Sequence, residues 1–482
     1  MKTQLKNLFS DKNIEIYSLV YIIIPYLIFA FGWLKLPLAL ILSVLIAISA
    51  FLYTKELYNR KVFLQNKNLK YFLITIVILL LWCLLSGMGG FGFQNNPDWE
   101  KNNAIFHDLF LYKWPVIYKD YSLVYYLGYY LPIGLVMKLF GWNIGYLFSL
   151  LWGFSGLMLV IYWLKRLSGS FSPLIILFFV FFSGLDILGL IIKFSLFPDP
   201  ETLSHFKHVG CIEWWAEFFQ FSSMTTTLFW VPQYAIQGWL LTGLVLNNIQ
   251  NHNSSKNLLF LWALCIFGVP FIFLAITPII IAGIYKTGRK KLKELFSFQN
   301  FIAAPLIVLV FMAYFTSKAF KDPCSAISDY MQNPYFIFTY LLFILMEFGL
   351  YAIVIHKYFK NDIIWNITLI SMLLMPLVRI GSANDFVMRG SACYLFILFV
   401  YIMKAIWQNS LKKSGKAALL IFFLIGSFTP FLEIKRSVTH YSAKVPVLSK
   451  QYSVMGLYQY RNNSQYLGDK EAFFWKHLAK KH

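Results

Sequence analysis

Two carboxylates directly follow a glycine-rich stretch near residue 90. Asp98 and Glu100 stand in the sequence NNPDWEKNN, after an apolar run that ends in GMGGFGF. A carboxylate held at a membrane surface can take the proton from an acceptor hydroxyl and so act as a general base. The same residues also suit an ordinary solvated loop, and the sequence leaves both interpretations open.

Two further groups of polar residues are candidates for lining a site. His107 and Asp108 follow Asp98 by two to three turns of the helix predicted for DWEKNNAIFHDLFLY, and these three side chains would suit a metal ion. A second segment brings together two histidines at i and i+3, a carboxylate and two indoles: His205, His208, Glu213, Trp214 and Trp215. Neither spacing is diagnostic of a metal. The indoles suit stacking on a sugar ring, or the aromatic belt at a membrane interface.

Two arginines flank a short loop late in the chain. Arg379 and Arg389 enclose the sequence RIGSANDFVMR between two apolar runs. Arginine forms forked, permanently charged contacts with phosphate, and this favours an anion site. The alternative is that both side chains extend to the membrane surface from the ends of helices.

The composition requires a membrane protein. Of 482 residues, 59% are hydrophobic and 13% are charged, and the mean hydropathy is +0.62. Soluble domains contain about 25% charged residues, and their cores stop growing at about 250–300 residues. The net charge of +21 is typical of loops that meet anionic lipid. No long soluble basic segment is present, so nucleic-acid binding is excluded.

The apolar runs predict an all-α polytopic fold with about 13 transmembrane helices. A span needs about 20 mostly apolar residues. The seventh and eighth runs are shorter, and a tight hairpin around Pro270 would join them. The predicted spans are 15–33, 36–54, 71–88, 143–164, 172–194, 226–247, 257–269, 271–286, 299–316, 335–357, 363–380, 391–407 and 417–433.

Basic loops give the expected orientation. Short loops rich in Lys and Arg are cytoplasmic, so the N-terminus is predicted inside. Loops 89–142 and 195–225, together with the tail 434–482, would then lie outside the cytoplasm. Within the first of these loops, residues 121–140 are predicted to form a juxtamembrane helix in the outer interface. The abundance of Lys, Asn, Ile and Phe is typical of an AT-rich bacterial gene, which indicates the bacterial inner membrane.

Two acidic residues fall inside predicted spans. Asp186 and Glu347 would be costly to bury in lipid, and such residues are functional hypotheses by default. They fit a proton path in a transporter or flippase, which is the competing class of function. No repeated half and no matching pair of broken helices supports that class.

The order of these features resembles the GT-C superfamily of membrane glycosyltransferases, especially bacterial relatives of protein mannosyltransferases and lipid A aminoarabinose transferases. In that superfamily a span leads into an outer loop with an early acidic residue, followed by a tyrosine-rich stretch that ends in KLFG. Here Asp98-Trp99-Glu100 is followed by SLVYYLGYYLPIGLVMKLFGW and by a span that ends in YWLKRLSG. The usual proline pair before the tyrosines is absent, and Asp120-Tyr121-Ser122 takes its place.

Later segments carry the same resemblance. The short hairpin around Pro270 is similar to paired short helices of the family, and FVMRGSACYLF keeps an arginine of a late motif without its two prolines. The resemblance covers about 70–430. It divides the chain into an N-terminal pair of extra helices with a basic loop (1–70), a GT-C-like module (71–433) and an extracytoplasmic tail (434–482).

The resemblance implies inverting transfer of a sugar from a polyprenyl-phosphate or polyprenyl-diphosphate donor to a glycan, lipid or protein acceptor. It implies Asp98 as the catalytic base, with Glu100 as the alternate. Arg389, Arg379 and Lys101 would hold the donor phosphate. The substrate would be lined by His107, Asp108, His205, His208, Glu213, Trp214 and Trp215. Some members of the family need a divalent metal and others do not, so a metal stays open. A polysaccharide polymerase or ligase for a lipid-linked saccharide is a further alternative.

Overall fold

The structure is a computed structural model of the chain. It describes the great majority of the residues, in the ranges 11–58, 69–94, 96–170, 172–198, 211–217, 219–288, 292–320, 324–326, 334–381, 384–408, 411–442, 452–461 and 464–481.

The protein is a bundle of helices, as predicted, with 76% of its residues helical and almost no strands. In the described ranges six helices are long and apolar enough to cross a membrane. Helices satisfy their backbone groups internally, which hydrocarbon requires. The six are Lys12–Trp33, Leu36–Leu57, Trp142–Ser168, Phe336–Phe359, Asp385–Trp407 and Lys413–Thr439.

Several of the remaining apolar runs are broken into shorter helices. We number the helices in chain order as α1 Asp11–Trp33, α2 Leu36–Tyr58, α3 Leu69–Leu85, α4 Asp98–Leu111, α5 Tyr130–Phe140, α6 Trp142–Ser168, α7 Leu174–Val180, α8 Asp186–Leu196, α9 Met224–Trp230, α10 Pro232–Asn247, α11 Leu258–Ala263, α12 Pro270–Ala275, α13 Thr277–Thr287, α14 Leu292–Leu295, α15 Ala304–Phe315, α16 Phe336–Ile344, α17 Leu350–Phe359, α18 Ile363–Leu374, α19 Asp385–Trp407, α20 Lys413–Gly426, α21 Phe428–Thr439 and α22 Val454–Arg461. Single turns of 3₁₀-helix lie at Met88–Gly90, Ile212–Ala216 and Met375–Leu377, and single turns of π-helix at Asn248–His252, Gln299–Ala303, Leu345–Gly349 and Phe474–Leu478.

Helix α19 lies at the centre of the bundle. Most of its side chains are buried, and it packs against α6, α10, α12 and α18. Helices α2 and α20, by contrast, present many large apolar side chains to the outside, such as Phe51 and Leu424. A helix that is apolar all round suits either the protein interior or lipid, and both cases occur here.

One end of the bundle is covered by non-spanning helices, and we call it the site end. Helix α1 ends there at Trp33, and α6 and α19 begin there. Helix α4 packs on α5, which packs in turn on α6. The predicted helix over 121–140 is wrong in its first half, because residues 121–123 form a strand and only Tyr130–Phe140 is helical.

The strand at 121–123 exists because the C-terminal tail supplies its partner. Strand β1 (Tyr121–Leu123) pairs antiparallel with β4 (Leu467–Asp469). A second short pair joins β2 (Cys324–Ala326) to β3 (Val378–Ile380). The last described residues continue along α1, where Lys480 donates its backbone N–H to the carbonyl of Trp33 at 2.8 Å. The described part of the tail is therefore built into the site end.

Asp108 joins this tail to helix α4. Its carboxylate is fully buried and accepts three hydrogen bonds, from the Tyr118 hydroxyl at 2.5 Å, the Val454 backbone N–H at 3.0 Å and the His107 ring at 2.7 Å. A buried carboxylate is stable only when donors surround it in this way.

We predict that Asp108→Asn loosens the tail. Loss of the charge weakens these three contacts, and the free energy of unfolding should fall by about 1–3 kcal/mol. Protease cleavage beyond residue 440, measured on the purified protein in detergent, should rise together with a lower melting temperature. The matched control is Asp120→Asn, because Asp120 is exposed in the same loop. Equal behaviour of the two variants would contradict this role for Asp108.

Candidate functional site

The glycine-rich stretch fixes where helix α4 begins. Gly87 has a φ of +95°, and a Cβ atom there would lie 2.6 Å from the Trp99 Nε1 atom. The Trp99 indole N–H donates to the Ser86 carbonyl at 2.8 Å. Only glycine combines this backbone conformation with so close an approach of the indole. The tight exit from α3 therefore holds the first turn of α4, and Asp98 with it, against the end of the bundle.

Asp98 and Lys101 form an ion pair on the first turn of α4. Lys101 Nζ lies 3.0 Å from Asp98 Oδ2. Lys101 is only 4% exposed, whereas 28% of the Asp98 side chain is accessible. Burial lowers the pKa of Lys101, and the neighbouring carboxylate of Asp98 opposes that shift. The carboxylate is thus the accessible member of the pair and faces any substrate first.

Arg389 approaches the same place from the second turn of α19. It pairs with Asp385 at 2.9 Å, one turn earlier on the helix. Arg389 also donates to the Tyr126 hydroxyl, which accepts a second hydrogen bond from the Tyr125 hydroxyl. Its Nε has no partner among the residues that the structure describes.

Tyrosine rings connect the two ion pairs. Lys101 Nζ lies 5.8 Å from the ring centre of Tyr125, and the Arg389 guanidinium lies 5.9 Å from that of Tyr126. Lys101 and Arg389 are close enough to repel each other, and Asp98 attracts Arg389. We call the whole set the Asp98–Arg389 cluster; its members are Asp98, Lys101, Tyr125, Tyr126, Asp385 and Arg389.

The Asp98–Arg389 cluster has the charges needed to hold an anion beside a base. It contains two cations and two carboxylates, so it is balanced in the absence of a ligand. Lys101 lies over the ring of Tyr125 and Arg389 over that of Tyr126, and the two cations act on each other electrostatically, so both are candidates for contact with one phosphate. The partly exposed Asp98 would then stand next to the bound anion.

Two other predicted residues lie on elements that neighbour this cluster. Glu100 is half-buried on the same turn of α4. Arg379 lies in β3, directly opposite Ser325 of the antiparallel strand β2. His107 and Asp108 belong to the interior network that fixes the tail, as described above. His205 and His208 lie outside the described residues.

Glu213, Trp214 and Trp215 lie on the 3₁₀ turn Ile212–Ala216. Glu213 is buried and accepts from the Thr226 hydroxyl at 2.6 Å and the Ser223 backbone N–H at 2.9 Å. Trp215 is fully buried, whereas Trp214 is 37% exposed. Of the three, only Trp214 is available to a ligand.

Sequence reasoning missed three members of the Asp98–Arg389 cluster. Tyr125 and Tyr126 were part of a tyrosine-rich run without assigned roles, and Asp385 was one residue of the loop between the two arginines. The i, i+4 spacing of Asp385 and Arg389 is the signal that could have shown their pairing.

No group of three or more His, Cys, Asp or Glu side chains in the described ranges is arranged to hold a metal ion. No protein-family model, curated protein or solved structure matches the chain.

We predict a pH-dependent stability from Glu213. Burial raises the pKa of this carboxyl from 4.5 to about 7. A raised pKa in the folded state means that the stabilisation is complete below pH 4.5 and is lost as the pH rises through about 7. The melting temperature of the wild-type protein in detergent should therefore fall between pH 5 and 8.

Glu213→Gln should flatten that dependence, because the amide stays neutral. Glu56→Gln is the matched control, since Glu56 is a partly exposed carboxylate on α2. If the melting temperature of Glu213→Gln keeps the wild-type slope, Glu213 is not the titrating group.

Proposed function

We propose that the protein is a membrane glycosyltransferase that takes its sugar from a polyprenyl-phosphate or polyprenyl-diphosphate carrier. The observation that carries this proposal is the meeting of Asp98, Lys101 and Arg389 at the end of the bundle. An accessible carboxylate stands there beside two buried cations. A lipid-linked phosphate would reach this place from the bilayer, with its chain along the apolar helices.

In the proposed reaction Asp98 removes the proton of an acceptor hydroxyl. The acceptor oxygen then bonds to the anomeric carbon as the bond from that carbon to the carrier phosphate breaks. The carrier leaves as an anion, and Lys101 and Arg389 stabilise the charge that develops on it. Attack opposite to the leaving group inverts the configuration of the sugar. Glu100 is the alternate base, and Arg379 is a further candidate for phosphate contact.

The finer topology belongs to the same proposal. The six long helices and the shorter apolar runs together would give about 13 crossings, with the runs 257–269 and 271–286 on either side of Pro270 as two of them. We place the protein in the bacterial inner membrane, with the N-terminus in the cytoplasm and both the site end and the tail outside. In this arrangement residues 71–433 form the catalytic module, with the helix pair of 1–70 in front of it.

Asp98→Asn is expected to abolish transfer. The amide keeps the shape of the carboxylate but cannot accept the proton, so the rate should fall by about 10²–10⁴-fold. Surface glycans and lipid-linked sugars of cells that carry the variant would be profiled by mass spectrometry beside a full deletion. Asp120→Asn serves as the control, with membrane protein levels checked for both. A wild-type profile for Asp98→Asn at normal protein level would overturn the assignment of the base.

Arg389→Lys is expected to weaken binding of the donor. Lysine keeps the positive charge but loses the forked contact to phosphate, so the KM for the lipid-linked sugar should rise about 10-fold or more. Arg436→Lys is a matched control. Arg436 lies on another helix, α21, and it also pairs with a carboxylate on its own helix, that of Glu433. An unchanged KM in purified protein with a short-chain polyprenyl-phosphate sugar would contradict the assigned role.

A transporter or flippase for a lipid-linked saccharide is the second candidate, and the burial of Asp186 and Glu347 favours it. The same profiling experiment separates the two. If Asp98→Asn matches wild type while Asp186→Asn or Glu347→Gln reproduces the deletion, transport replaces transfer as the proposed function.

A further inference from the structure

A second group of carboxyl groups lies inside the bundle, where an apolar run is interrupted. Helix α7 ends at Val180 and α8 begins at Asp186, and the residues between them are not helical. Glu347 faces this break from the π-helical turn Leu345–Gly349, near the middle of the helical stretch Phe336–Phe359. Asp186 and Glu347 are each only 1% exposed.

One oxygen of each carboxyl group accepts hydrogen bonds, two at Asp186 and one long bond at Glu347. Asp186 Oδ2 accepts from the Ser183 hydroxyl at 2.9 Å and from the Thr429 hydroxyl at 2.8 Å. Glu347 Oε1 accepts from the Trp215 indole at 3.4 Å. These donors belong to three separate parts of the chain, and all of them point to the break between α7 and α8.

The other two oxygens have no donor in the described part of the chain. They are Asp186 Oδ1 and Glu347 Oε2. Glu347 Oε2 rests on Gly184, two residues before Asp186, so the two carboxyl groups are close neighbours and interact with each other. Two ionised carboxylates can only accept, so neither can satisfy the other. A buried acceptor without a donor is costly, and two neighbouring like charges in an apolar interior are more costly still.

Packing around Glu347 leaves little space for a hydrated ion. A Cβ atom at Gly184 would lie 2.1 Å from Glu347 Oε2, so this oxygen rests directly on the backbone of the break. The backbone is fixed there by a hydrogen bond from the Leu185 N–H to the Met346 carbonyl at 3.0 Å. The Tyr351 hydroxyl donates to the Ser183 carbonyl at 3.1 Å and so also contacts the backbone of the break.

We propose that Asp186 and Glu347 form a proton-binding site. One proton is shared between Asp186 Oδ1 and Glu347 Oε2, and the pair then carries a single negative charge. This proton supplies the missing donor, and the donors from Ser183, Thr429 and Trp215 stabilise the remaining charge. The site is independent of the Asp98–Arg389 cluster and of the reaction proposed for it.

The proton site is connected to the segment that carries Glu213. Trp215, which donates to Glu347, lies two residues after Glu213 and packs against Gly189 of α8. Glu213 also interacts electrostatically with Asp186 and Glu347. Protonation of the pair therefore acts on the 3₁₀ turn Ile212–Ala216, which packs against α8 and α16.

Other charged and titratable groups on the elements packed around the pair are mostly paired elsewhere. On α8, Lys193 bonds to Glu217, and on α21, Glu433 bonds to Arg436. Arg436 also contacts Cys211. On α16, the Tyr340 hydroxyl donates to the Leu373 carbonyl at 2.7 Å, and on α17, Tyr351 is bonded as described. Glu213 remains as the titratable group that interacts electrostatically with the pair.

The direct test is the infrared spectrum of the full-length protein in detergent. A protonated carboxyl group has a carbonyl stretching band that shifts in D₂O. An ionised carboxylate lacks this band. At pH 7 the wild-type protein should show, in addition to the band of partly protonated Glu213, a band that both Asp186→Asn and Glu347→Gln lack. In each variant the new amide replaces the proton as the donor, so the remaining carboxyl group is ionised.

Glu213→Gln is the matched control, and it should retain the band of the pair. The melting temperatures of two variants at Glu347 give a second comparison, which does not depend on the infrared spectrum. Glu347→Gln should melt at or above the wild-type temperature, because its amide still donates to Asp186. Glu347→Ala should melt lower, because it leaves Asp186 without that donor. If Asp186→Asn does not fold, Glu347→Gln alone gives the infrared comparison.

Two outcomes would overturn the proposal. One is a carboxyl band that is unchanged in both Asp186→Asn and Glu347→Gln. The other is a wild-type melting temperature that rises when sodium replaces choline at constant ionic strength, with no such rise in Glu347→Gln. That second result would show a metal cation between the two carboxyl groups in place of a proton.

Discussion

The cost of placing charge in an apolar interior is the constraint on which the arrangement of this protein depends. Asp108, Glu213 and Asp385 lie beside a cation or several donors, and for Asp186 and Glu347 we have proposed a shared proton in place of these, because a buried carboxylate would otherwise be unstable. Asp98, Asp186 and Asp385 each lie in the first turn of a helix, where the helix dipole favours a negative charge. The polar positions are therefore also the places where helices begin, and they fix how the helices meet.

The Asp98–Arg389 cluster follows from this constraint. Lys101 and Arg389 are buried and need carboxylates, and each finds one on its own helix within a single turn. The two helices come together through Tyr125 and Tyr126, whose rings and hydroxyl groups suit both cations. A ligand with a negative charge can compete for the same cations, and the phosphate binding proposed above rests on this competition.

The class of fold could be predicted from the sequence because it depends on composition and on the length of apolar runs. Asp98, Lys101 and Arg389 could be named because charged residues are rare in this chain, so each one is conspicuous. The strand at 121–123 could not be predicted, since its partner lies more than 300 residues away in a tail of ordinary composition. The internal role of Asp108 was missed for the same reason, because its donor at Val454 is distant in the chain.

The pairing of β1 with β4 has a consequence for biogenesis. The loop that carries the proposed site is synthesised more than 300 residues before the strand that pairs with it. Residues near 480 also hydrogen-bond to the end of the first helix. A nascent chain that stops short of residue 467 would contain every apolar helix and yet lack a closed site loop, so quality-control proteases could recognise it as unfinished.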